Sequence, residues 1–147
     1  MAILFKTAIG EDKAQHLIET ILHAGNHDGY LNVVTEETER ADASQRGSHS
    51  DEFRHRVKEV LDDAKHSAPS WLIYQRSEND NAVSVNEMRN SAIQLTRGYS
   101  GTIVIALSLL GHDAGDQDLE LLFICFREDF HRRNFLVRFE GKYIPDS

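Results

Sequence analysis

Four residues of this chain have the types and spacing for metal-assisted hydrolysis. Asp118 and Glu120 stand at the head of the apolar run LELLFICF, and Glu140 and Lys142 lie two apart near the C-terminus. Carboxylates of this kind hold Mg²⁺, and a neighbouring lysine steadies or deprotonates the attacking water. For the four to meet, DLELLFICF and FLVRFEGK must pair as antiparallel strands around REDFHRR, which sets the start of the first beside the end of the second. Just upstream, GHDAGDQD (residues 111–118) concentrates three carboxylates and a histidine between two apolar runs. It is not a calcium hand. Counted from Asp113, the position where such a loop needs its closing glutamate is Ile124, and Asp113, Asp116 and Asp118 do not alternate. Glycine and aspartate tolerate turn geometry, so a hairpin turn is expected there.

The Asp with Glu-x-Lys set resembles the core of metal-dependent nucleases, in which an Asp on one strand meets a Glu-x-Lys on its neighbour. That resemblance implies a phosphodiesterase or nuclease with Asp118, Glu120 and Glu140 around Mg²⁺ and Lys142 at the water. Ordinary cross-strand pairs between Arg, Lys and Glu account for the same residues. The formal net charge of -8 also opposes a nucleic-acid substrate, because the overall field repels polyanions. The basic run RRN at residues 132–134 has Glu128 and Asp129 beside it. Nucleic acid is not an expected partner.

Eight histidines invite a metal reading, which geometry tests. His16 and His23 share a helix face, but seven residues of helix rise about 10.5 Å, too far apart for one ion bound at roughly 2 Å. His23 and His27 have usable spacing, yet Gly25 and Asn26 end the helix between them. On the next helix His55, Glu59, Asp62 and His66 all fall on the solvent side. Pairs four apart there form surface contacts worth roughly a few tenths of a kcal/mol. Solvated histidines are the expectation.

The single cysteine, Cys125, sits in LLFICFRE and reads as a small core hydrophobe. One cysteine forbids an intrachain disulfide and fits a reducing cytoplasm. The opening MAILFKTAIGEDK has an apolar run too short for a signal peptide, and no run reaches membrane-spanning length. Nucleophile motifs such as G-x-S-x-G and HExxH are absent. RGYSGT follows a helix, whereas a phosphate loop must open one.

The elements that must position these groups come from periodicity. AILFKTAI alternates as a strand. Ala14, Leu17, Ile18, Ile21 and Leu22 make a helical stripe, and YLNVV a short strand. Residues 36–47 carry almost no apolar side chain and are expected to be a mobile loop. Ser48 with Asp51 reads as a capping box opening a helix with Phe53, Val57, Val60, Leu61 and Ala64 on its inner side. WLIYQR is a strand, with a further short one around Val83. Ser84 with Glu87 caps a third helix, whose buried stripe is Val85, Met88, Ala92 and Leu95, and Gly98 stops it. TIVIALSLL and LELLFICF are apolar on both faces, as central strands are. NFLVRFEGK alternates, with Phe135, Val137 and Phe139 inward.

The sequence therefore predicts one α+β domain over residues 1–147: a mainly antiparallel sheet of five or six strands, three helices and a C-terminal three-stranded meander. At 147 residues, 40% of them hydrophobic, a core can close without staples. Three helices cover one face of such a sheet, so the other is expected to be covered by a second copy, making a homodimer. The leading functional expectation is a small acidic cytoplasmic interaction, sensing or inhibitory module that binds rather than catalyses and needs no cofactor. The alternative is the Mg²⁺-dependent phosphodiesterase or nuclease.

Overall fold

The structure is a computed structural model and describes residues 5, 11–23, 27–34, 45–48, 51–64, 70–76, 84–109 and 119–143. Its elements run α1 (Glu11–His23), β1 (His27–Val33), β2 (Gln45–Ser48), α2 (Asp51–Ala64), β3 (Ser70–Gln75), α3 (Val85–Leu95), β4 (Ile103–Leu109), β5 (Leu119–Phe126) and α4 (Asp129–Tyr143). The class is α+β, with one antiparallel sheet in the order β2-β1-β4-β5-β3. The strands expected at residues 2–9 and around Val83 lie outside the described residues, apart from Phe5.

The apolar runs take the centre of the sheet. Ile103 pairs with Cys125 and Leu109 with Leu119, so β4 and β5 are adjacent and antiparallel on either side of residues 110–118, which are themselves outside the described set. β3 pairs antiparallel with β5, so β3 and β4 run parallel with β5 between them. α3 makes the crossover that joins them. Side chains alternate across the sheet as period two requires. Ile103, Ile105, Leu107, Phe123 and Cys125 pack with α1 and α2. Val104, Ala106, Leu122, Ile124 and Phe126 pack with α3 and α4.

Helices thus cover both faces of the sheet. The premise that three helices leave one face bare does not hold, because α3 and α4 together cover the face opposite α1 and α2; whether the chain pairs with a second copy does not follow from this. The fourth helix is the largest departure from the sequence reading. Residues 129–143 are α4 and not the third strand of a meander. Phe135 and Phe139 are fully buried, while Val137 between them is 72% exposed. Two inward residues four apart with an outward one midway is the signature of a 3.6-residue period, not of alternation.

A smaller correction concerns residues 45–48. Gln45–Gly47, expected within the mobile loop, are part of β2 and pair with β1 from Leu31↔Gln45 to Asp28↔Ser48. Backbone hydrogen bonds form this edge without apolar side chains. Ser48 ends that strand and α2 begins at Asp51; the Ser48 side chain and residues 49–50, on which the expected capping box rests, lie outside the described residues. The remainder of the loop, residues 36–44, lies outside the described residues. Gly29 on β1 permits the close seating of α2: a Cβ there would stand 2.8 Å from Leu107 Cδ2 and 3.0 Å from Phe53 Cζ.

Candidate functional site

Of the four residues proposed for metal chemistry, Glu120 alone has a described side chain. It occupies the second position of β5 opposite Ser108, and its Oε2 accepts a 2.7 Å hydrogen bond from Arg76 Nη1 just beyond β3. This ion pair is partly exposed, at 48% and 20% for the two side chains. Both partners bear on Tyr74: burial raises its phenol pKa above the ordinary value, Arg76 lowers it and Glu120 raises it further. Glu140 and Lys142 belong to the last turns of α4, so the strand pairing meant to bring them opposite Asp118 and Glu120 is not formed. Asp118 and the side chains of Glu140 and Lys142 lie outside the described residues. Among the described residues no group of three or more His, Cys, Asp or Glu is arranged to hold a metal ion.

The histidines of α1 and α2 are brought together by packing in a way that spacing along the chain does not show. A groove of about 600 Å³ runs between the two helices. Glu19 and His23 rim it from α1; Arg54, His55, Lys58 and Asp62 rim it from α2. His23 Nδ1 lies 2.8 Å from the carbonyl oxygen of Glu19. The floor side chains Ile18, Leu22, Val57 and Leu61 are closed against each other, at most 4% exposed. The groove therefore offers a mixed-charge rim over a closely packed apolar floor. His16, His55, Glu59 and Asp62 are exposed, and His66 lies outside the described residues.

The outer face of α4 has a different character. Phe130 and Val137 are the exposed large hydrophobic residues among those described, at 50% and 72%. They are seven apart, hence on one helix face, opposite the buried Phe135 and Phe139. Arg133 and Arg138 flank them, and both are exposed. Arg138 Nη1 donates to Leu95 O at 3.1 Å and to Tyr99 Oη at 3.4 Å, both neutral acceptors, and has no ion pair among the described residues. Arg97 projects from the same turn and is exposed. The Tyr99 ring stacks flat on His131, with centroids 4.5 Å apart and planes 2° apart, which fastens the turn after α3 to the first turns of α4.

At the start of α4, Asp129 accepts from Arg132 and Arg133 at 2.8 and 3.2 Å and from Ser70 Oγ at 2.9 Å. The Ser70 hydrogen bond, the largest effect, with the bond and charge of Arg132 and the charge of Arg133, holds the Asp129 carboxyl below its usual range against the opposing effect of desolvation. Among the described residues the charges flanking Phe130 and Val137 on α4 are Arg133, shared with Arg132 on Asp129, and Arg138, in a chain whose net charge is -8. Phe130 and Val137 on one side of α4 offset Phe135 and Phe139 on the other, so the helix has almost no net apolar stripe and the sequence carries no periodic signal for this surface.

The chain matches no known family model, no curated protein and no solved structure.

Proposed function

We propose that the protein is an interaction module that acts by binding, and that the outer face of α4 docks an acidic segment of a partner protein. The observation that carries this is the exposure of Phe130 and Val137 on one face of α4 between the exposed Arg133 and Arg138. Exposed aromatic and arginine side chains are the groups from which interface anchors are drawn. Charge complementarity selects the occupant. A partner segment with carboxylates around apolar side chains matches Arg133 and Arg138, whereas symmetric pairing of two α4 faces sets arginine against arginine. Nucleic acid is disfavoured by the charge of the whole chain.

The test uses the buried state of the one native cysteine. Asn134→Cys places a labelling site between Phe130 and Val137, where a photoactivatable crosslinker traps what docks. The expected adduct is a protein whose linked peptide is acidic, and the adduct disappears in Phe130→Ser/Val137→Ser, which retains the parent melting temperature. A yield unchanged by that double substitution, a self-adduct, or an adduct with nucleic acid overturns the reading.

A further inference from the structure

A second cavity, of about 300 Å³, opens between α2 and the end of the sheet, on the face away from α4. Its floor is apolar: Val33, Val60, Ala64, Ile103 and Cys125. Three charged side chains stand at its mouth, Arg56 and Asp63 from α2 and Arg127 from the link after β5. We infer that this cavity is a binding site for a small organic monoanion with a compact apolar body and a carboxylate head.

Size, floor and mouth each contribute to that assignment. The volume lies at the lower end of ligand pockets, which run roughly 300–1,000 Å³ and combine an apolar lining with a few fixed polar groups. Among the described lining residues the mouth carries two guanidiniums against one carboxylate, an excess of one positive charge once an incoming carboxylate displaces Glu59 from Arg56, which a monoanion neutralises and a dianion overshoots. Arg127 has no ion pair among the described residues, and its stem is fixed in place. It lies over Gly101, whose φ is +89°, and a Cβ there would come within 3.0 Å of Arg127 Cδ. The bare glycine is what lets the arginine cross to the cavity mouth. Arg56 is engaged with Glu59 at 3.4 Å, but those side chains are 43% and 66% exposed, and such a pair is weak enough to yield to a better-placed carboxylate. Guanidinium forks suit carboxylates, which accept two parallel N–H bonds.

The protein contains its own reporter. Trp71, its one tryptophan, pairs across the sheet with Cys125 and is 2% exposed in the same cluster as the cavity floor. Directly opposed side chains on antiparallel strands are about 5 Å apart, so a ligand lying on Cys125 perturbs the indole. The probes are hexanoate and benzoate, with hexanol and benzyl alcohol as uncharged counterparts and inorganic phosphate as a head without a body. Calorimetry and Trp71 fluorescence on the full chain are expected to show saturable binding of the carboxylates at least about tenfold tighter than of the alcohols or phosphate, the loss expected when a charge-assisted hydrogen bond is absent. Arg127→Gln and Arg56→Gln each weaken carboxylate binding about tenfold, while Lys58→Gln, which removes an exposed charge from the same helix, leaves it within about twofold. A circular dichroism spectrum and melting curve like the parent's confirm that each variant is folded. Equal affinity for acid and alcohol overturns the assignment, as does equal loss in all three variants or a carboxylate affinity indifferent to Arg127.

Discussion

Phe135 and Phe139 lie one helical turn apart on α4, ring centroids 5.2 Å from each other, and both are fully buried. Phe5 closes on them, edge-on to each at 5.9 and 5.1 Å. Truncating Phe139 to alanine removes a large part of this cluster and is expected to destabilise the fold by about 3–5 kcal/mol. Val137→Ser, two positions earlier on the opposite side of the helix, is expected to change stability by no more than about 0.5 kcal/mol. Urea titrations of the two variants decide between helix and strand. In a strand with Phe135, Val137 and Phe139 on one buried face, Val137→Ser is costly as well, and a loss above about 1.5 kcal/mol rejects the helix.

Ser84 is the N-cap of α3, extended at φ -66°, ψ 150°, with its Oγ accepting the Glu87 N–H at 3.1 Å. Removing that oxygen leaves an orphan donor at the helix start. Ser84→Ala is expected to lower stability by about 1 kcal/mol and Ser84→Gly by only a few tenths. Equal losses in the two variants, measured by thermal melting, count against a capping role.

Asn32 is a buried amide in the middle of an apolar environment. It is 2% exposed, opposite Val104 on β4, and neither its side-chain oxygen nor its nitrogen has a hydrogen-bond partner among the described residues. Leaving such a group unpaired costs about 1–3 kcal/mol, and leucine has nearly the same shape without the polar atoms. Asn32→Leu is therefore expected to stabilise the protein by an amount in that range. A lower urea midpoint in the variant shows instead that the amide is satisfied, by ordered water or by other parts of the chain.

How much of this was readable beforehand differs element by element, for physical reasons. α1 and α3 carry long stripes of apolar residues, and α3 adds a capping serine, so period and boundary signals agree. TIVIALSLL and LELLFICF are too apolar to lie anywhere but the centre of a sheet. α4 fails because Phe135, Val137 and Phe139 fit a period of two over five residues as well as two of them fit 3.6, and because Phe130 and Val137 on one side of the helix offset Phe135 and Phe139 on the other, so a longer window shows no net stripe either. β2 fails for the opposite reason. QRGS contains no apolar residue at all, and pairing through backbone groups leaves no hydropathy signal. The candidate surfaces were less visible still. The α1–α2 groove, the cavity between Arg56 and Arg127, and the Tyr99–His131 stack each join segments whose approach is set by tertiary packing, and no spacing along the chain encodes it.

Ser70 and Asp129 join the first residue of β3 to the first residue of α4 across 59 positions of sequence, and this contact makes a pH signature. Hydrogen bonding from Ser70 is the largest cause of the lowered Asp129 pKa, followed among the lowering effects by the bond and charge of Arg132 and the charge of Arg133. The positive end of α4 favours the same ionised form. Because the folded protein holds the carboxyl below its unfolded value, the interaction contributes fully above the unfolded value and is lost as pH falls through the folded one. Near neutral pH the parent should therefore be more stable than Asp129→Asn, with the difference shrinking as the solution is acidified through the carboxylate range. Carboxyl ¹³C titration gives the sharper reading. The Asp129 midpoint is expected below that of an ordinary aspartate, and in Ser70→Ala it moves upward even though both arginines remain. A midpoint unmoved by Ser70→Ala would assign the shift to the arginines alone and remove Ser70 from the link between β3 and α4.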